Sequence, residues 1–304
     1  MGPVRIVSLL PSATEIVYAL GAGDQLVGVS FECDYPPEAR TVAVVSGTAL
    51  ETDASRSASQ VDAEVSARVA AGESIYSLDD DRIRAIDPDV ILAQDLCQVC
   101  AVPSGAVEEA LAVIGCHAAV VSLDPAHLDE VIDCVGTVGR ATGTVAVAER
   151  LMAELRARLA AVRERVRDRP RPRVFVLEWP DPPFNAGHWV PDMVDAAGGE
   201  PVLAAAGERS RRLTWDEVAA EANNKAIDIT LFSPCGFDLD GAVAQSASFL
   251  DRPEATPLGR VVAVDANAFF SRPGPRVVDG VELLAELLHP GRPGSLPAGA
   301  STLR

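Results

Sequence analysis

Val145-Ala-Val-Ala-Glu-Arg-Leu-Met-Ala-Glu-Leu-Arg-Ala-Arg-Leu-Ala-Ala-Val-Arg-Glu-Arg-Val166, then Arg169-Pro-Arg-Pro-Arg-Val-Phe-Val-Leu177, is the stretch whose reading decides the fold. Leu151, Leu155, Leu159, Val162 and Val166 recur at three- and four-residue steps with Glu and Arg between them, which predicts one long amphipathic helix over 145–166. Pro170 and Pro172 cannot continue it, and the β-branched run that follows opens a second series of strands and helices. The chain therefore has two halves with a helix between them.

Both halves alternate short apolar strands with amphipathic helices, the pattern of parallel sheets covered by helices. Before the long helix, strands are expected at 5–9, 26–30, 89–93 and 118–122, with helices at 12–20, 59–71, 78–86, 104–114 and 128–142. Ser12-Ala-Thr-Glu15 reads as a capping box and Gly21 as the stop of the first helix. After it, strands are expected at 174–178, 227–232 and 261–265, with helices at 190–197, 215–222 and 280–288, the second of these opened by Thr214. The domain reading is a lobe over 1–144, a linker helix over 145–168, a second lobe over 169–289, and a Pro/Gly/Ser-rich tail, 290–304, expected to be disordered.

At 304 residues and 48% hydrophobic content the chain can bury two cores. A net charge of −18 repels phosphate backbones and anionic lipid, so no nucleic acid partner is expected. Apolar runs such as 90–93 and 261–264 are too short to span a bilayer, and no membrane insertion is expected. No basic segment leads an apolar run of signal-peptide length, so the expected location is the cytoplasm as written, or the periplasm or cell exterior if a leader has been removed.

Ligands of open α/β sheets gather at the carboxyl ends of the strands, so the residues just after each strand are the informative ones. They are Glu32, Cys33 and Tyr35; Asp95, Cys97 and Cys100; Glu178 and Trp179, then His188 and Trp189; Cys235 and Phe237; and Phe269 and Arg272. Flat indoles suit a large flat ligand. Cys97-Gln-Val-Cys100 has the spacing of half a metal site, and with Cys33 and Cys235 it could hold zinc, copper or an iron–sulfur cluster. A redox pair is disfavoured, because Pro103 and Ser104 place the next helix too far on. Cys116 and Cys134 read as small buried hydrophobes, and His117, His127 and His289 as packing residues. No Gly-x-Ser-x-Gly elbow, Walker loop, His-Glu-x-x-His or strand-borne Gly-x-Gly-x-x-Gly is present, so an enzyme is not expected.

Arg5-Ile-Val-Ser-Leu-Leu-Pro-Ser-Ala-Thr-Glu15 with Leu20-Gly-Ala-Gly-Asp-Gln-Leu-Val-Gly-Val29 resembles the opening of the cobalamin-binding proteins of bacterial ABC importers. Asp87-Pro-Asp-Val-Ile-Leu-Ala-Gln94, the long middle helix, Asp195-Ala-Ala-Gly-Gly-Glu200 and Arg272-Pro-Gly-Pro-Arg276 extend the resemblance to the cobalamin and iron-siderophore class as far as about His289. It implies two Rossmann-like lobes joined by one rigid α-helix, with the ligand in a cleft between them. It also implies cleft aromatics that hold a corrin ring, for which Tyr35, Trp179 and Trp189 occupy comparable loops and Phe269 and Arg272 are further wall residues. An acidic residue on each lobe would dock an exported protein onto an ABC permease, a role that falls here to Glu200 and to Asp80 within Asp79 to Asp81. The missing leader and the cysteine motifs resemble instead a cytosolic cobalamin-binding-like subgroup, and Asn223-Asn-Lys-Ala226 departs from the Asp-Pro-Asp turn of the class. Three readings follow: a corrinoid-binding protein, a cytosolic metalloprotein built on the cysteines, and an importer component.

Overall fold

The computed structural model describes residues 4–50, 56–95, 104–114, 116–291 and 296–304. In chain order its elements are β1 (Ile6–Ser8), α1 (Pro11–Ala19), β2 (Leu26–Val29), β3 (Ser46–Thr48), α2 (Ala58–Ala70), β4 (Tyr76–Leu78), α3 (Asp80–Ile86), β5 (Val90–Ala93), α4 (Ser104–Ile114), β6 (Ala119–Ser122), α5 (Leu128–Thr142) and α6 (Val145–Val166). There follow β7 (Arg173–Pro180), β8 (Pro183–Asn185), α7 (Val190–Ala196), β9 (Glu200–Pro201), α8 (Trp215–Asn224), β10 (Ile229–Phe232), α9 (Leu239–Leu250), β11 (Arg260–Val264), α10 (Ala266–Phe269), α11 (Val277–Leu288) and β12 (Ala300–Thr302).

The chain divides into two compact units, and the boundary runs through α6. Met1–Ser55, Ala63–Pro125 and Ile132–Glu154 make the first; Arg56–Asp62, Ala126–Val131 and Leu155–Arg304 make the second. This differs from the expected partition at 144 and 168: two short segments of the amino-terminal half belong to the second unit, and α6 is shared. The stripe read from the sequence is the face that packs, with Leu155, Leu159, Val162 and Val166 all buried.

In the first unit a parallel sheet has the order β2-β1-β5-β6, its strands β1, β2 and β5 largely buried and β6 a partly exposed edge, and Val7, Leu9, Ile83, Ile91, Val107 and Leu111 belong to its core. Both faces of a parallel sheet are covered, which is why these strands read as unbroken apolar runs rather than alternating ones. The expected capping box on α1 is not formed. Pro11, whose fixed φ suits a first helical turn and which has no N–H to satisfy, starts the helix one residue early. Ser12 and Glu15 then lie buried inside α1, whose amino end carries no side-chain cap. Gly21 stops α1 as expected, at φ +71°.

In the second unit β10 lies between β7 and β11, all parallel, over a core that includes Phe175, Phe232 and Phe249. The edges depart from the all-parallel expectation: β8 and β12 pair antiparallel to β7 and β11. β12 corrects the disordered tail, because Ala300, Ser301 and Thr302 pair with Val264, Ala263 and Val262, and the Leu303 N–H donates to the Val261 carbonyl at 2.9 Å. The edge of β11 supplied free backbone partners that composition alone does not reveal. Thr214 and Glu217 form the capping box that opens α8.

Candidate functional site

Three adjacent parallel strands of the second unit end together, and backbone hydrogen bonds tie their following loops to one another. The Ser233 N–H donates to the Leu177 carbonyl at 3.0 Å, Cys235 N–H to Glu178 at 3.3 Å, and Asn267 N–H, beyond β11, to Phe237 at 3.1 Å. This brings Glu178, Trp179, Cys235 and Phe237 to one sheet edge, each partly buried, as the strand-end reading expects. The rings of Trp179 and Phe237 stand 6.2 Å apart at 39°, and the Trp179 indole N–H donates to the Ala58 carbonyl at 3.1 Å. At the same edge Asp265 caps α10, accepting from the Ala268 N–H at 2.8 Å. Burial raises its carboxyl above the usual range and Asp238 adds to this, while Arg276 and Arg272 pull it back. The arrangement is an apolar aromatic body with a rim of both signs, which is how a protein holds and orients a mostly apolar molecule.

One expected wall residue, Trp189, lies in the core. Trp189 is only 5% exposed and its indole N–H donates to the Phe270 carbonyl at 2.9 Å, so it is a core residue of the second unit. His188 beside it sits at φ +53°, pinned by its own N–H to the Glu208 carbonyl at 2.6 Å and by the Gly207 N–H to its carbonyl at 3.0 Å. Its Nε2 is buried and makes no hydrogen bond in the structure. Burial, and secondarily Arg209, holds this imidazole below its usual pKa. Both residues follow β8, the antiparallel edge, rather than a parallel strand, and so fall outside the strand-end rule. Phe269 turns toward the approach to β12: a Cβ on Gly299 would come within 2.6 Å of its ring. Arg272 is partly buried near Asp265.

In the first unit Tyr35 is 45% exposed on the loop after β2. Phe31, on the same loop and 41% exposed, pairs with Tyr76 of β4 at 6.2 Å and 40°. Phe31 is the first residue after the expected strand, whereas Tyr76 lies just before the helix expected at 78–86 and nothing in the sequence marks it. Asp95 is tied into its own loop. It accepts the Ser104 N–H at the start of α4 at 2.7 Å, the Ser104 hydroxyl, and the Ser122 hydroxyl at 3.2 Å. The Ser104 hydroxyl bond is the main cause holding this carboxyl below its usual range.

Of the cysteines in the metal reading, Cys97 and Cys100 lie outside the described residues. Cys33 is buried, with the Thr14 hydroxyl 3.0 Å from its sulfur, and Cys235 is a partly buried free thiol at the strand-end edge. Among the described residues no group of three or more His, Cys, Asp or Glu side chains could hold a metal ion.

Glu200 in β9 is 45% exposed and paired with Lys225 at 3.1 Å and Arg173 at 3.3 Å, and the Lys225 hydrogen bond leads in holding its carboxyl low. Asp80 opens α3, exposed, on a hollow of about 670 Å³ whose other charged walls are Asp79, Asp81 and Arg84. Among the described residues no helix is long and apolar enough to cross a membrane.

A cobalamin-binding protein of Halobacterium salinarum is 28% identical to this chain over 290 residues, covering 94% of this chain and 70% of its own length. The periplasmic vitamin B12 binding protein BtuF of Vibrio cholerae superposes with a TM-score of 0.64 at 22% identity, over 94% of this chain and 96% of that one. A periplasmic heme-binding protein from Pseudomonas aeruginosa does so with a TM-score of 0.68 at 19% identity, over 99% and 98%. At such identities these structures speak for the shared α/β fold with parallel sheets and helices. The sequence pattern of the periplasmic binding protein family matches residues 6–256, through both sheets as far as the loop before β11, and the chain belongs to that family.

Proposed function

We propose that the protein reversibly binds a corrinoid, with the ring laid against Trp179 and Phe237 at the strand-end edge of the second unit. The observation that carries this reading is the partly buried Trp179–Phe237 pair at the carboxyl ends of β7 and β10, in a family of binding proteins. The cobalamin-binding name of the Halobacterium salinarum relative supports the same ligand class. Binding energy would come mainly from apolar area removed from water, at about 25 cal/mol per Å² before the cost of association. If the chain is exported, Glu200 and Asp80 are the acidic groups that would meet a permease; cell fractionation checks that condition.

The test mixes purified protein with cyanocobalamin and with cobinamide, read by calorimetry and by colour retained through gel filtration. Retained corrin colour is expected, and Trp179→Ala should weaken binding at least about thirtyfold, the loss typical of a central aromatic anchor of about 2 kcal/mol. Neither heat nor retained colour with both corrinoids, or retention of hemin alone, overturns the reading.

A further inference from the structure

The opening turn of α2 belongs to the second unit, although the rest of the helix belongs to the first. Polar links hold it there. The Trp179 indole N–H donates to the Ala58 carbonyl, and the Arg212 guanidinium grips both carboxylate oxygens of Asp62 at 2.8 and 3.0 Å. Arg212 is itself placed by a bridge to Phe184 in the edge strand β8, with its guanidinium 5.5 Å from that ring's centre. The turn also has its own cap, independent of these links: the Ser57 N–H donates to Gln60 Oε1 at 2.9 Å and the Gln60 N–H to Ser57 Oγ at 3.3 Å. It can therefore leave Trp179 as an intact helical turn. Between Ala58, which is 3% exposed, and the indole edge there is no room for a third group.

We propose that residues 58–62 form a latch over the edge of Trp179, and that a ligand gains the full indole only when the latch lifts. The inference rests on the binding reading above. A macrocycle wider than an indole, laid on Trp179, overruns the ring's edges, and the edge bearing the N–H is the one Ala58 occupies. The side toward Phe237 is occupied as well. The hydrogen bond is between neutral groups and the arginine of the ion pair is 53% exposed, links of the strength that a ligand of ordinary affinity can displace.

The experiment compares wild type with Asp62→Asn and with Arg212→Gln. The first arm needs no ligand: acrylamide quenching of tryptophan fluorescence, with each variant also made on Trp179→Phe to isolate the Trp179 contribution. Quenching of Trp179 should rise in both variants. In the second arm, stopped-flow association of cobinamide should quicken about two- to fivefold, the population shift expected when one partly exposed ion pair is lost. Unchanged Trp179 quenching overturns the latch, as does higher quenching with an unchanged or slower association rate. If wild type takes up no corrinoid, the binding reading fails by itself, and the quenching arm still decides whether Asp62 and Arg212 hold the turn on Trp179.

Discussion

Replacing Arg173 by Met tests whether a single buried cation organises the start of the second sheet. Arg173 opens β7 with its side chain only 5% exposed. Its guanidinium reaches Glu221, the Lys225 carbonyl, the Ala226 carbonyl at 3.1 Å and Glu200 at 3.3 Å. It thereby joins β7, β9 and the carboxyl end of α8. Methionine keeps the apolar stem and removes the fork, leaving two carbonyls without this donor and taking the guanidinium from Glu221 and Glu200, the second of which keeps its ion pair with Lys225. Breaking a fully buried pair costs about 3–5 kcal/mol. Here Glu221 and Glu200 are 29% and 45% exposed and can rehydrate, which discounts the loss to about 2–4 kcal/mol. At about 2–4 °C per kcal/mol for a chain of this size, the melting temperature should fall by about 5–12 °C. Thermal unfolding followed by circular dichroism at pH 7 measures it, repeated at about 1 M salt, where most of the loss should persist because buried pairs are screened little. A melting temperature within about 2 °C of wild type, or a loss abolished by salt, refutes the reasoning.

Gly139 of α5 is a point of close approach: a Cβ there would lie 2.4 Å from the Ala148 Cβ of α6. Gly139→Ala should destabilise the first unit by about 1–3 kcal/mol in urea unfolding, and adding Ala148→Gly should recover most of that. Asp265→Asn should raise the melting temperature at pH 7. The native carboxyl titrates above its unfolded value, so stability is lost as pH rises from the ordinary carboxylate range through the raised one, while asparagine keeps the cap on Ala268. The gain should vanish below about pH 3, where the acid is protonated in both states, and a gain that is independent of pH would count against a charge origin.

Much of this architecture is legible because burial imposes a period. The α6 stripe, the β5 run Val90-Ile-Leu-Ala93 and the Thr214 box are local statements, each written in residues that touch one another. The errors fall where a distant partner decides. β12 forms because β11 has an open edge, not because Ala300-Ser-Thr302 favours strand, and α1 starts at Pro11 because one ring torsion outweighs a capping pattern that is correct in composition. β3 and β4 are three residues each, too short for alternation to register.

The candidate site divides along the same line. The strand-end rule reaches Trp179 and Phe237 because Trp179 lies at the carboxyl end of β7, past its parallel pairing with β10, and Phe237 follows β10, and neighbouring parallel strands end at one edge. Trp189 falls in the core because, although it shares the composition of a binding loop, it follows an antiparallel edge strand, whose direction the sequence does not encode; the chain there turns into α7. What Trp179 can do depends in turn on Ala58 and Asp62, more than a hundred residues earlier, in a turn whose own sequence specifies only that it is a helix start. Strand-end rules thus locate the aromatic surface, whereas the groups that cover it come from contacts between distant segments. The latch variants act on those covering groups, and corrinoid binding by wild type acts on the surface they cover.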